Sequence, residues 1–320
     1  MLQILTVTFP FFALVLLGWA VTRLRWVPLE AAAGMSRFVL YFALPAMLYK
    51  FAATTPLVRL LDADVGATWV ICAVSMVAVT LAALRRGGVS WNDASFGALV
   101  AAFPNSGFMG VPLLVALLGA HAAGPAIVAL AIDMVFTSSL CIALSRLDGA
   151  GSEGLRRAGW EAFKGTAMNP LPWAILLGTW SAATGARPWE PLDNVLTMLA
   201  NAASPVALFT LGAMLAKPLA PTSAPERAGV SSGVLAMTAF KLLLHPLLVY
   251  AVGRAGIALG LPLEESALTV LVLAAALPSA SNVPIVAERF GADAARVARV
   301  VLLTTAAAFG TFSVGVALLK

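Results

Sequence analysis

Hydrophobic residues in this chain run in long blocks instead of alternating with polar ones at a helical or strand period. Uncharged windows of about 20 residues recur, each the length of helix that crosses a ~30 Å hydrocarbon layer. Ten apolar windows fall near residues 4–22, 32–51, 65–84, 94–119, 122–145, 169–186, 194–216, 229–252, 266–288 and 294–318, separated by charged or Pro/Gly-rich breaks. The pattern predicts an all-α polytopic membrane protein with ten transmembrane helices. The second window is the thinnest, with an uncharged core only from Phe38 to Tyr49. Arg37 and Lys50 would then snorkel to the two interfaces.

Composition sharpens this reading. Of 320 residues, 61% are hydrophobic and 11% charged, against about 45–50% and about 25% in an ordinary soluble domain. Soluble enzyme folds are excluded. The net charge of +5 forms no basic stripe, so a nucleic-acid partner is excluded as well. Instead the basic residues gather in alternate loops. Arg23, Arg25, Arg85, Arg86, Arg146, Arg156, Arg157, Lys164, Lys217, Arg227 and Arg289 fall on one side, against Lys50, Arg59, Arg187, Arg254 and Lys320 on the other. By the positive-inside rule this is an integral membrane protein with both termini outside. No basic stretch precedes the first window and no small-residue cleavage site follows it, so it reads as a retained span. Cys72 and Cys141 sit inside apolar windows, far from any metal-ligand spacing, and no cofactor is implied.

The chain repeats itself. AAFPNSGFMGVPLLVALLGA (Ala101 to Ala120) in the fourth window is echoed by AALPSASNVPIVAERFGA (Ala275 to Ala292) in the ninth. A weaker echo links Leu44-Pro45-Ala46 to Ser204-Pro205-Val206. Two halves of five spans follow, 1–146 and 169–320, joined by a glycine-containing basic cytoplasmic linker at 147–168. Five is odd, so the second half must enter the membrane from the opposite face, giving an inverted repeat.

Pro104 and Pro278 lie at membrane depth, where proline removes a backbone donor and clashes one turn back. Each is followed by residues that favour caps and turns: Asn105-Ser106-Gly107 in one copy, Ser279-Ala280-Ser281-Asn282 in the other. Both windows are therefore predicted to be broken helices. The first halves, Ala94 to Phe103 and Ser266 to Leu277, measure ~15 and ~18 Å, which puts the breaks near the midplane. Unwound backbone there must be covered by protein or line a cavity. The second halves, starting near Phe108 and Val283, would aim free N–H groups into that cavity and favour an anion, a carboxylate in particular.

PNSGFMGVP (Pro104 to Pro112), FALPAMLY (Phe42 to Tyr49) and LPSASNVPIVAERFG (Leu277 to Gly291) resemble the auxin efflux carrier family, whose bacterial members include malate and malonate permeases. The resemblance implies a scaffold of spans 1, 2, 6 and 7 and a transport unit of spans 3 to 5 and 8 to 10. In that unit the two broken helices cross, and a small organic anion is carried by an elevator-like displacement. It also implies a substrate site around Pro104, Asn105, Ser106, Gly107, Pro278, Ser279, Ser281 and Asn282, with an asparagine from each break. Ser279 stands directly after its proline where the first copy has Asn105, which leaves open whether Asn282 or the serines act. A homodimer through the scaffold helices is the assembly left open.

Lys241 and Asp133 fall at the centres of the eighth and fifth windows. Each would cost roughly 2.5–3.5 kcal/mol if left unpaired. They could form a structural ion pair. Alternatively Asp133 could take up a proton, or Lys241 could stand in for a coupling cation; proton and sodium both remain open as coupling ions. His245, one turn after Lys241, shares its face. Among rival classes, HExxH and GxxxxGK[ST] are absent and the two histidines and two separated cysteines form no metal-ligand cluster, which argues against an enzyme or an ATP-driven pump. A sodium-coupled bile-acid-type symporter, a channel and a non-transporting sensor remain as alternatives.

Overall fold

The computed structural model describes residues 2–147, 160, 164, 167–216 and 228–319. Most of the expected linker, with Arg156 and Arg157, lies outside the described residues, as do Lys217, Arg227 and Lys320. Every element among the described residues is helical: α1 (Leu2–Arg23), α2 (Leu29–Thr54), α3 (Ala63–Arg86), α4 (Trp91–Ala102), α5 (Ser106–Leu118), α6 (Ala120–Ser145), α7 (Pro170–Thr184), α8 (Glu190–Leu215), α9 (228–258), α10 (Glu265–Ala275), α11 (Val283–Arg289) and α12 (Ala294–Leu319). Among the described residues, seven helices are long and apolar enough to cross a membrane. The ten expected windows exceed this number for a physical reason. Two of them are split, into α4/α5 and α10/α11, and α7 has only 15 residues.

Proline explains much of the local irregularity. Wide π-type turns at Val39–Ala43, Ser106–Gly110 and Phe240–Leu244 each end two residues before a proline, Pro45, Pro112 and Pro246. Widening the turn relieves the ring's clash with the preceding carbonyl while the helix continues. A fourth π turn, Asp133–Thr137, has no proline behind it. Such turns concentrate at functional sites, and here they carry Ser106, Asp133 and Lys241.

The helices pack as two groups. In one, α8 lies along α1 and α2, and α7 packs on α2. Contact between α1 and α8 is close because both present glycine. A Cβ at Gly18 would run into the Phe209 carbonyl, and one at Gly212 into that of Val15. Such small residues let backbones approach where lipid offers no hydrophobic drive to association. In the other group, α3 packs on α4, α6 and α9, α10 packs on α9, and α12 packs on α9 and α11. Contacts between the groups run through α5 on α1 and α8, α12 on α1, and α6 on α2.

Loop contacts fix which helix ends share a face. Asn92 Nδ2 donates to the Phe290 carbonyl (3.1 Å), and the Asp293 amide donates to Asp93 Oδ1 (2.7 Å). The Arg146 guanidinium lies 5.1 Å above the Phe290 ring. The start of α4 and the ends of α6 and α11 are thus together. At the other end Arg59 meets Glu264 (3.4 Å) and backs onto Gly124. Arg289, with Arg296 beside Asp293 (3.6 Å), sits at the first of these faces.

Candidate functional site

Both predicted breaks are present, and they are joined. Extended backbone at Pro104 pairs antiparallel with Ser279. The Asn105 amide donates to the Pro278 carbonyl (2.8 Å), and the Ala280 amide donates to the Phe103 carbonyl (3.0 Å). Amides unwound at this depth would cost several kcal/mol each if left bare, and here each break supplies the other's partners. Around this bridge α10 contacts α5 while α11 contacts α4. The two interrupted helices therefore cross head to tail.

The side chains divide by role. Ser279 is fully buried, and its hydroxyl donates to the Val100 carbonyl (2.7 Å) at the end of α4. Its amide donates to Thr304 Oγ1 on α12 (3.2 Å). Ser279 thus caps the end of α4 and holds the crossing together, with its hydroxyl hydrogen already committed. Asn105 is the reverse case. It is 1% exposed, yet neither Nδ2 nor Oδ1 of its side chain has a partner, and the Ser106 hydroxyl beside it is also unpartnered. A buried polar group left so costs about 1–3 kcal/mol. Gly107 and both prolines are buried, Ser281 is at the edge of burial, and Asn282 is partly exposed at the cap of α11.

The second halves differ from expectation in one respect. α5 begins at Ser106, two residues before Phe108, because its first turn is the π turn, in which the Met109 and Gly110 amides both donate to the Asn105 carbonyl. α11 does begin at Val283 but has only seven residues. The first break is therefore the better anion cradle, with the N-terminus of α5, Asn105 and Ser106 converging on it. No carboxylate or basic side chain belongs to either break. The residues that pair across the crossing are buried, and two cavities lie elsewhere. One, of about 670 Å³, is lined by Tyr49, Lys50, Ser181, Arg187 and Asp193. The other, about 760 Å³, is an apolar groove along α1 and α12.

A second buried polar cluster sits behind the crossing. Lys241 is fully buried, and its ammonium donates to the Ala275 carbonyl (2.7 Å), the last residue of α10. There it complements the negative end of that half-helix. It also reaches His245 Nδ1 at 3.1 Å, so the expected shared face is real. Asp133, also fully buried, accepts from Thr137 Oγ1 (2.9 Å) through one oxygen, while the other has no partner. Asp133 and Lys241 are neighbours in one electrostatic cluster but make no direct ion pair. Trp69 of α3, which the sequence did not single out, lies beside both His245 and Asp133. Its ring centroid is 5.5 Å from that of His245, and its indole N–H neighbours the Asp133 carboxylate without closing a hydrogen bond. An indole N–H buried at membrane depth needs a partner, and that was the one available signal. Among the described residues no group of three His, Cys, Asp or Glu could hold a metal.

Comparison with known proteins adds a family. The family described as membrane transport protein matches residues 3–153 and 155–315. A protein of Rhizobium meliloti (strain 1021) named "Putative malonate transporter" is 32% identical over 313 residues, covering 95% of this chain and 92% of its own length. The "Uncharacterized transporter YfdV" of Escherichia coli (strain K12) is 28% identical over 292 residues, 88% of this chain and 86% of its own. An "Uncharacterized transporter" of Methanothermobacter thermautotrophicus is 27% identical over 300 residues, 91% and 90% respectively.

Proposed function

Because the chain belongs to the membrane transport protein family, that of the auxin efflux carriers, we propose that it is a secondary or facilitated transporter of small organic anions, with a short dicarboxylate such as malonate or malate as its substrate. The observation that carries this reading is Asn105, buried at a helix break with both polar ends of its side chain unmatched. A carboxylate seated there would accept from the Asn105 amide and the Ser106 hydroxyl and meet the positive end of α5. The choice of a short dicarboxylate leans on the relative from Rhizobium meliloti named "Putative malonate transporter".

The proposed topology is two inverted repeats of five spans, in which α4/α5 and α10/α11 each count as one crossing and α7 as another. Both termini lie outside, as the loop charges favour. The group of α1, α2, α7 and α8 acts as the scaffold, and could also carry a homodimer interface. The remaining helices move as the transport unit, in an elevator-type displacement that exposes the crossing first to one side and then to the other. Supporting this division, α5 is the half-helix that packs on both α1 and α8, so the candidate site lies on the boundary between the two groups.

A panel of mono- and dicarboxylates, scored by thermal stabilisation of the purified protein with and without sodium, tests the reading. Malonate or a close homologue should raise the melting temperature, and labelled malonate should exchange in proteoliposomes with saturation. Stabilisation by none of the panel, or flux that never saturates, would overturn it.

A further inference from the structure

Three polar atoms near Lys241 have no partner: Trp69 Nε1 on α3, Asp133 Oδ2 on α6 and His245 Nε2 on α9. All three residues are at most 1% exposed. They belong to one cluster, since the indole neighbours both the His245 ring and the Asp133 carboxylate. Each unmatched atom would be a substantial penalty alone, and three from three different helices are not three accidents of packing.

Their chemistry is complementary. An ammonium has only donors, so His245 Nδ1, 3.1 Å from Lys241 Nζ, must accept. The ring hydrogen is thereby placed on Nε2. The unmatched atoms are then two donors, from Trp69 and His245, and one acceptor, from Asp133. A water molecule accepts twice and donates at least once, which satisfies all three. A sodium ion would face two N–H groups, and a chloride would face a carboxylate, so neither fits.

We propose that Trp69, Asp133 and His245 enclose a water, and that through it Asp133 is the proton-loading group of the carrier. This rests on the transport reading above. In the loading step an O–H bond forms at Asp133 Oδ2 with a proton from the enclosed water. The water takes a replacement from the aqueous side, so the net change is one proton added to the carboxylate. The Asp133–Lys241 cluster passes from zero net charge to one positive charge, which offsets one negative charge on a substrate carried through a low-dielectric interior. Lys241 and His245 are positioning residues: the ammonium fixes the imidazole so that Nε2–H faces the water. Lys241 and His245 are the titratable groups that face Asp133 from α9, with Cys141 on its own helix and Cys72 buried on α3. From α2 comes Lys50, already paired with Asp193 (2.8 Å), and α4 and α10 carry acidic residues, Asp93 and Glu265, only in their first turns.

Proteoliposomes with a pH-sensitive dye in the lumen and labelled malonate outside give the test. The wild-type protein should move protons with malonate, and in Asp133→Asn the ratio of protons to malonate should fall to zero. Proton movement persisting in Asp133→Asn, or wild-type malonate exchange with no dye response, overturns the proposal while leaving the transport reading intact. No exchange by the wild type removes the transport reading and this proposal with it. Infrared titration of the purified protein reads the same group without transport. A carboxylic-acid band should be lost in Asp133→Asn and shifted in Trp69→Phe, where one donor to the water is gone. A band unchanged in both variants, or a water-resolving density map that is empty between the three side chains, would also overturn the proposal.

Discussion

Lys241 and His245, one turn apart on α9, hold each other at 3.1 Å while the lysine ammonium donates to the Ala275 carbonyl. This buried ammonium ties α9 to the end of a broken half-helix, and its counter-charge, Asp133, sits nearby without touching it. Replacing Lys241 with Met should therefore leave a buried carboxylate uncompensated, at a cost of about 3–5 kcal/mol. Combining Lys241→Met with Asp133→Asn should recover a large part of that loss. Melting temperatures of the two single variants and the double variant check this as a double-mutant cycle. A double variant no more stable than Lys241→Met would show that the two charges are not coupled.

Asn105→Ala removes the unmatched amide at the first break. Transport of the organic anion should fall by about tenfold or more, equivalent to ~1.4 kcal/mol of lost binding. The protein should still insert and fold, because the bridge to Pro278 uses only the backbone of residue 105. Uptake of labelled malonate, normalised to the monodisperse protein recovered by size-exclusion chromatography, is the measurement. Near-normal uptake by a well-folded variant would remove Asn105 from the site.

Ser279→Ala should behave differently. Its hydroxyl serves the Val100 carbonyl, so the loss should appear as about 1 kcal/mol of stability, with the substrate concentration for half-maximal uptake unchanged. A weakened substrate affinity at normal stability would instead return Ser279 to the binding role expected from the sequence.

Gly18→Leu or Gly212→Leu should force α1 and α8 apart, destabilising the protein by about 1–3 kcal/mol through overpacking. Gly34→Ala on α2 is the control. Nothing lies within 4 Å of its added carbon, and alanine in a helix gains up to about 1 kcal/mol over glycine. Thermal melts should drop for the first two and hold or rise for the third.

The positions of the breaks were legible because proline followed by Asn, Ser and Gly is a local signal, and local signals survive into structure. That the two breaks pair was not. The bridge joins residues some 175 positions apart, and no periodicity encodes a contact between Pro104 and Ser279. The capping bond from Ser279 to the Val100 carbonyl was therefore not legible either. Lys241 and Asp133 stood out as charges in apolar windows, and a direct pair was the simplest expectation. A backbone carbonyl, which every residue owns, turned out to be the lysine's partner, so the sequence could not mark it. Trp69 stayed hidden for a similar reason: in an apolar window an indole reads as one more hydrophobe until its N–H is found bare.

Two main-chain bonds rivet the crossed helices at their pivot, like the pin of a pair of scissors. Blades pinned in this way cannot separate along their length without shearing the pin in a medium that offers no replacement bonds. If a guest is held beside the pin, access to it must alternate by carrying the pin bodily past its surroundings, with both blades moving as one.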